Sequence, residues 1–171
     1  QRDLAMEDPG QRDLYTIGTV SNIRQILRMP GGGVRVMVEG VTRGRLLRLS
    51  QTSPFLLAEV EEIATQQETK TTPRTEALIR MAYELFESYT ELAPRMTTDV
   101  FLAVLASEDP CYIADYIAQN IVMRTGDKQN ILEELRPVRR LEKLAQILQR
   151  EVEILRMEQE LQGKVREGVA Q

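Results

Sequence analysis

The sequence has no histidine, one cysteine and four lysines in 171 residues, and these scarcities remove whole classes of chemistry. Without an imidazole, a Ser-His-Asp triad, a Cys-His pair and a histidine-ligated metal are all excluded. Cys111 has no partner for an intrachain disulfide, which fits a reducing compartment. It follows Pro110 at an expected helix start, where a thiol pKa can fall, but no base accompanies it. A small core or surface residue is the expected role. None of Lys70, Lys128, Lys143 and Lys164 follows the glycine-rich spacing of a phosphate loop. Carboxylate neighbours such as Glu61 with Glu62, or Glu133 with Glu134, show no sign of a shared pocket and read as solvated faces. No catalytic residue, metal ligand or resident cofactor is therefore expected. A run of about 18 apolar residues is missing, as is a charged-then-apolar leader, so neither a membrane span nor a signal peptide is expected. The first residue is Gln1, which points to a fragment or a processed form.

What is present is an ordinary globular mixture. Charged residues at 28% and hydrophobic residues at 42% support a packed chain rather than a disordered one. A mass of 19.5 kDa suits one domain or two small ones. The net charge of -4 argues against a protein that coats nucleic acid.

Two compositional halves follow one another. Residues 14–63 are strand-like, with candidates at "LYTIGTV" (Leu14 to Val20), "VSNIRQILRM" (Val20 to Met29), "GVRVMVEG" (Gly33 to Gly40), "TRGRLLRL" (Thr42 to Leu49) and "FLLAEVEEI" (Phe55 to Ile63). Val34, Val36 and Val38 alternate with Arg35, Met37 and Glu39, which predicts a half-buried strand with its valines on a core. Gly31, Gly32 and Gly33 offer the positive φ a tight connection needs, and Pro30 cannot enter a central strand, so a hairpin tip is expected at Met29 to Gly33. Gly40 is expected to mark a bend where the chain reverses or changes strand.

Residues 65–72 are polar and threonine-rich and read as a linker. Pro73 then sits near the start of a helix whose apolar stripe is Leu78, Met81, Ala82, Leu85, Phe86, Tyr89 and Leu92, with Pro94 as its stop. A short helix over residues 98–106 would bury Val100, Phe101, Val104 and Leu105. Asp109 and Pro110 read as N-cap and first residue of a third helix facing inward with Ile113, Ile117 and Ile121. Gly126 and Asp127 are expected to close that helix and cap another, "DKQNILEEL". From Pro137 one long periodic run carries Val138, Leu141, Leu144, Leu148, Val152 and Leu155, then Leu161, Val165 and Val169 more sparsely. Unbroken to Gly168 it would span roughly 48 Å, so its second half projects, either as a frayed tail or as a stalk.

Binding chemistry concentrates in the hairpin. Between Val20 and Ser50 six arginines (Arg24, Arg28, Arg35, Arg43, Arg45, Arg48) face one acid, Glu39, a local net of +5. Such a face can track phosphates, yet the segment lacks an aromatic side chain for base stacking. Ile26, Leu27, Met29 and Pro30 lie beside a glycine-rich tip that cannot bury all of them, and an adaptable methionine suits weak binding to many segments. Packing on the helical half would use the same residues structurally.

The order "EDPG", "LYTIGTVSNIRQILRMPGGGVRVMVEGVTRGRLLRL", "DKQNILE" and "RLEKLAQILQREVEILRMEQELQGKV" resembles the N-terminal, substrate-recognition region of bacterial Lon, the ATP-dependent protease. The resemblance covers nearly the whole chain. It implies an α+β fold: a PUA-like β lobe over residues 1–64, a linker at 65–72, a helical bundle over 73–136, and a long helix over 137–171 leading toward an ATPase module. The family's opening strands would lie before Gln1, so the lobe is expected to be partial, with an edge that a second copy could pair. ATP, magnesium and a serine-lysine dyad belong to the family's other modules, and the chain itself is expected to be non-catalytic.

By the same resemblance, Met29 takes the family's apolar hairpin-tip position, with Leu27 and Pro30 beside it as contacts for unfolded or damaged proteins. Other Lon subunits in a hexamer, and a cytoplasmic location, are the implied partners and place. Arg43, Arg45 and Arg48 are the candidates for nucleic acid or an acidic partner. A stand-alone adaptor and a purely structural helical spacer are the remaining alternatives.

Overall fold

The structure, a computed structural model, describes residues 1–66, 70–93, 95–96 and 98–170. Residues 67–69 of the expected linker, the expected helix stop Pro94 and the terminal Gln171 lie outside the described residues. Contacts divide the chain into two compact units, Gln1–Thr65 and Gln66–Gln171.

In the first unit β1 (Ile17–Arg28), β2 (Val34–Gln51) and β3 (Leu57–Ile63) form one antiparallel sheet in the order β1-β2-β3. The five expected strands are three. Leu14 to Val20 and Val20 to Met29 merge into β1, and the two segments on either side of Gly40 merge into β2. The chain does not reverse at Gly40. Val20 pairs with Thr42 and Ser21 with Gly40, so Val41 is one extra residue and the ladder absorbs it as a bulge. A second slip between Ile23 and Gln25 leaves Arg24 as the extra residue on β1.

β3 pairs only with the Arg43–Gln51 part of β2. From Ser21 and Gly40 outward the sheet is therefore a two-stranded ribbon. The connection lies where expected, with Gly31 and Gly32 at φ of 95° and 91°; Gly33, expected to share that conformation, does not have a positive φ, and its carbonyl accepts from the Met29 N–H at 2.7 Å. Among the described residues of this unit Ile17 is the only buried apolar side chain. The half-buried strand expected at Val34, Val36 and Val38 is thus corrected: all three are exposed, because no layer covers a ribbon that has lost its third strand.

The second unit comprises α1 (Pro73–Leu92), α2 (Thr98–Leu105), α3 (Pro110–Asn120), α4 (Thr125–Glu133) and α5 (Pro137–Val169). Local signals explain the starts. The Thr72 hydroxyl accepts from the Thr75 N–H with Pro73 in the first turn, and the Asp109 carboxylate accepts from the Cys111 N–H at 2.9 Å with Pro110 following. α5 packs along α1 and α3. The core is Leu78, Ile79, Ala82 and Phe86 of α1, Val104 of α2, Ile113 and Ile117 of α3, Ile131 of α4, and Leu141, Leu144, Leu148 and Val152 of α5.

Some expectations are corrected here as well. Met81 is exposed and Ile79 takes its place in the core. Leu105 of α2 faces out. α3 stops at Asn120 rather than near Gly126, because Ile121 and Met123 bury their side chains in an extended segment where the Tyr89 hydroxyl accepts from the Val122 N–H at 3.0 Å. Gly126 and Asp127 then lie inside the first turn of α4, with Arg124 at its N-cap. Glu134, expected on a solvated face, is buried. Its carboxylate accepts from Arg136 Nε at 2.8 Å and pairs with Lys143 Nζ at 3.1 Å, which holds its pKa down at about 2, the Arg136 hydrogen bond being the main cause. Arg140, also buried, donates from Nε to the Glu134 carbonyl at 2.7 Å and from Nη1 to Asp115 Oδ2 at 3.0 Å.

Candidate functional site on the hairpin ribbon

The pairing register sorts the ribbon's side chains onto two faces. Arg28 stands opposite Val34, Ile26 opposite Val36 and Ile23 opposite Val38; Leu27 stands opposite Arg35 and Gln25 opposite Met37. Successive residues of a strand point to opposite sides, and the bulge at Arg24 returns Ile23 to the face of Ile26. One face thus carries Ile23, Ile26, Val34, Val36 and Val38, with Arg28 at its outer end. The other carries Leu27 and Met37 between Gln25 and Arg35.

Each of the five aliphatic residues on the first face is 45–65% exposed. Five contiguous β-branched side chains in water, on a ribbon that is at best marginally stable alone, form a surface that gains by being covered. Every one of the five has a branched apolar side chain, so the face is stiff and chemically undemanding.

The residues selected from sequence fall around this face. Met29 and Pro30 form the tip and Leu27 occupies the opposite face; Leu27 and Met29 are 45% and 40% exposed. The alternating valines of β2 are a periodic set in the sequence, but the face they form is solvent-exposed rather than a core face. Alternation reports which side chains share a face and is silent about what covers it.

The arginines are arranged differently from the electropositive stripe their spacing suggested. Arg45 donates to Glu61 at 3.2 Å and Arg48 Nε to Glu59 at 2.9 Å, both across the β2-β3 ladder, and Arg24 is paired with Glu39. The Arg48 pair raises the arginine pKa and lowers that of Glu59. Arg43 stands opposite Ile63 and is engaged too. Residues 1–65 hold eight arginines and eight carboxylates, so the unit is neutral. The local +5 is offset by the acids of β3 and of the N-terminal segment.

A second feature of this unit is a concavity of about 130 Å³ lined by Gly18, Val20, Gly44, Leu46 and Val60 among others. Its lining also includes Tyr15, Thr16 and Thr19 and contains no carboxylate, amine or thiol. Among the described residues no group of three or more His, Cys, Asp or Glu side chains is placed to hold a metal ion, and no helix is long and apolar enough to cross a membrane.

Comparison with known proteins points in one direction. The family model described as "ATP-dependent protease La (LON) substrate-binding domain" matches residues 1–150. The Lon protease of Desulforamulus reducens is 36% identical over 166 residues, covering 97% of this chain and 20% of that protein. The Lon protease of Desulfovibrio desulfuricans is 38% identical over 169 residues, covering 99% of this chain and 19% of that one. The chain therefore spans about a fifth of the length of these relatives. Among solved structures, the N-terminal domain of Mycobacterium avium complex Lon protease superimposes with a TM-score of 0.64 at 24% identity, over 80% of this chain and 72% of that one. A Lon N-terminal domain protein from Xanthomonas campestris does so with a TM-score of 0.50 at 18% identity, over 76% and 66%. These two likenesses establish the α+β fold.

Proposed function

Because the chain belongs to the Lon ATP-dependent protease family, as its substrate-binding domain, we propose that the hairpin ribbon captures exposed apolar segments of unfolded or damaged proteins. The observation that carries this is the uncovered face of Ile23, Ile26, Val34, Val36 and Val38, with Leu27, Met29 and Pro30 around its tip. A folded protein has few extended apolar segments free to lie on such a face, whereas an unfolded one has many. Selectivity for the unfolded state follows from burial alone.

Affinity at a single ribbon is expected to be low, because immobilising a flexible segment offsets most of what a small apolar patch gains. In the hexamer that the resemblance implies, several ribbons on one ring would raise the effective concentration of each for a long chain. ATP, magnesium and peptide cleavage would then belong to modules outside this chain, in a cytoplasmic machine. The neutral lobe and its paired arginines weigh against nucleic acid as the main ligand.

The test is binding to a chemically unfolded model protein and to its native form, by fluorescence anisotropy at low and high salt. Wild type should prefer the unfolded form. Val36→Ser and Met29→Ser should weaken binding several-fold with little salt dependence, since each removes roughly 1–2 kcal/mol of apolar burial. Equal binding to both forms, or loss only in Arg43→Glu/Arg45→Glu and at high salt, would contradict the proposal.

A further inference from the structure

The cations of the sheet are not equally satisfied, and the difference has a direction. Arg24, Arg45 and Arg48 have carboxylate partners in Glu39, Glu61 and Glu59. Arg28 and Arg35 are exposed, and neither side chain forms a hydrogen bond or ion pair among the described residues. Both lie within a few residues of the tip: Arg28 opposite Val34 at the outer end of the aliphatic face, Arg35 opposite Leu27 on the reverse face. The one carboxylate of the ribbon, Glu39, is taken by Arg24.

Resting on the capture of apolar segments argued above, we propose that the ribbon selects extended aliphatic segments that carry a carboxylate beside the apolar run. A segment lying along Ile23, Ile26, Val34, Val36 and Val38 must pass Arg28 to reach the tip. A guanidinium presents a fork of donors that fits a carboxylate in two parallel hydrogen bonds, and here it has no competing partner. A lysine at the same place in the segment meets the Arg28 cation instead. A nucleic acid matches this surface poorly: its phosphates would find two isolated arginines, its sugars would lie on five aliphatic side chains, and no aromatic ring is available for its bases.

The test uses the 171-residue chain and three labelled peptides that share one Leu/Ile/Val core flanked by aspartate, asparagine or lysine. At low salt the aspartate peptide should bind about five-fold tighter than the asparagine peptide, and the lysine peptide weaker still. In Arg28→Gln/Arg35→Gln that preference should vanish, the aspartate and asparagine peptides binding with equal affinity. Circular dichroism checks that the variant remains folded. Equal affinity for all three peptides, each weakened by Val36→Ser, would overturn the charge selection and leave apolar capture standing. No binding to any peptide, or binding indifferent to Val36→Ser, would overturn both. An oligonucleotide that displaces the aspartate peptide through the two arginines would overturn the proposal in favour of nucleic acid. A chain that sediments as a dimer and returns to a monomer in Val36→Ser would assign the face to a second copy and overturn it likewise.

Discussion

At the residue scale, the β unit depends on a few positions where backbone or side chain has no room for change. Gly44, in the middle of the sheet, is the sharpest. A Cβ there would lie 2.6 Å from Val60 Cγ1 and 3.0 Å from Val20 Cγ2, both stiff branched side chains. Gly44→Ala should therefore lower the unit's stability by about 1–3 kcal/mol, the range typical of forced overpacking. Urea titration followed by a probe in residues 1–65 would read this, and an unchanged midpoint would show that Val60 and Val20 can move aside. Gly31 and Gly32, with their positive φ, were legible as turn residues from the triple glycine alone. Gly44 was not, because nothing in "TRGRLLRL" announces that Val20 and Val60 converge on it from two other strands.

At the element scale, the helices were the most legible part of the fold. Their starts are written locally, in Thr72 with Pro73 and in Asp109 with Pro110, and their inner faces in recurring apolar residues such as Leu78, Ala82 and Phe86. What could not be read were interactions between distant segments. Glu134 looks like any surface acid beside Glu133, yet the chain turning from α4 into α5 buries it under Arg136 and Lys143. Its lowered pKa makes a signed prediction. Because the folded-state value lies below the ordinary 4.5, the stabilisation is complete above that pH and is lost as pH falls from about 4.5 to about 2. Glu134→Gln should cost about 1.5–3 kcal/mol near neutral pH, in line with hydrogen bonds to charged groups. It should also flatten the acid limb of the unfolding midpoint measured against pH. An acid limb identical to wild type would show that Glu134 contributes nothing there.

The strands were legible as apolar runs but not in number. A bulge reads in sequence like a break, so Gly40 and Val41 suggested two strands where the ladder continues through one. The same ambiguity hid the candidate site. Val34, Val36 and Val38 carry the signature of a core strand, and only the short reach of β3 reveals that their face is uncovered.

At the scale of the whole molecule, the two units have opposite characters. The helical unit is closed around a continuous apolar core, while the β unit has one buried apolar side chain and presents its ribbon to solvent. α5 extends the contrast: Val152 is buried, but Met157, Leu161, Val165 and Val169 are all exposed along an unbroken helix about 50 Å long. The family model ends at residue 150, whereas the similarity to whole Lon proteases runs on through nearly all of the chain.

The central claim is that the ribbon, and not the arginines of the sheet or the helical surface, contacts unfolded protein. The most direct measurement is residue-resolved NMR of the 171-residue chain titrated with an unfolded model protein. Shifts and line broadening should concentrate on residues 23–38, led by the side-chain methyls of Ile23, Ile26, Val34, Val36, Val38 and Met29. Changes confined to Arg43, Arg45 and Arg48 or to the helices, with the ribbon methyls unmoved, would contradict the account.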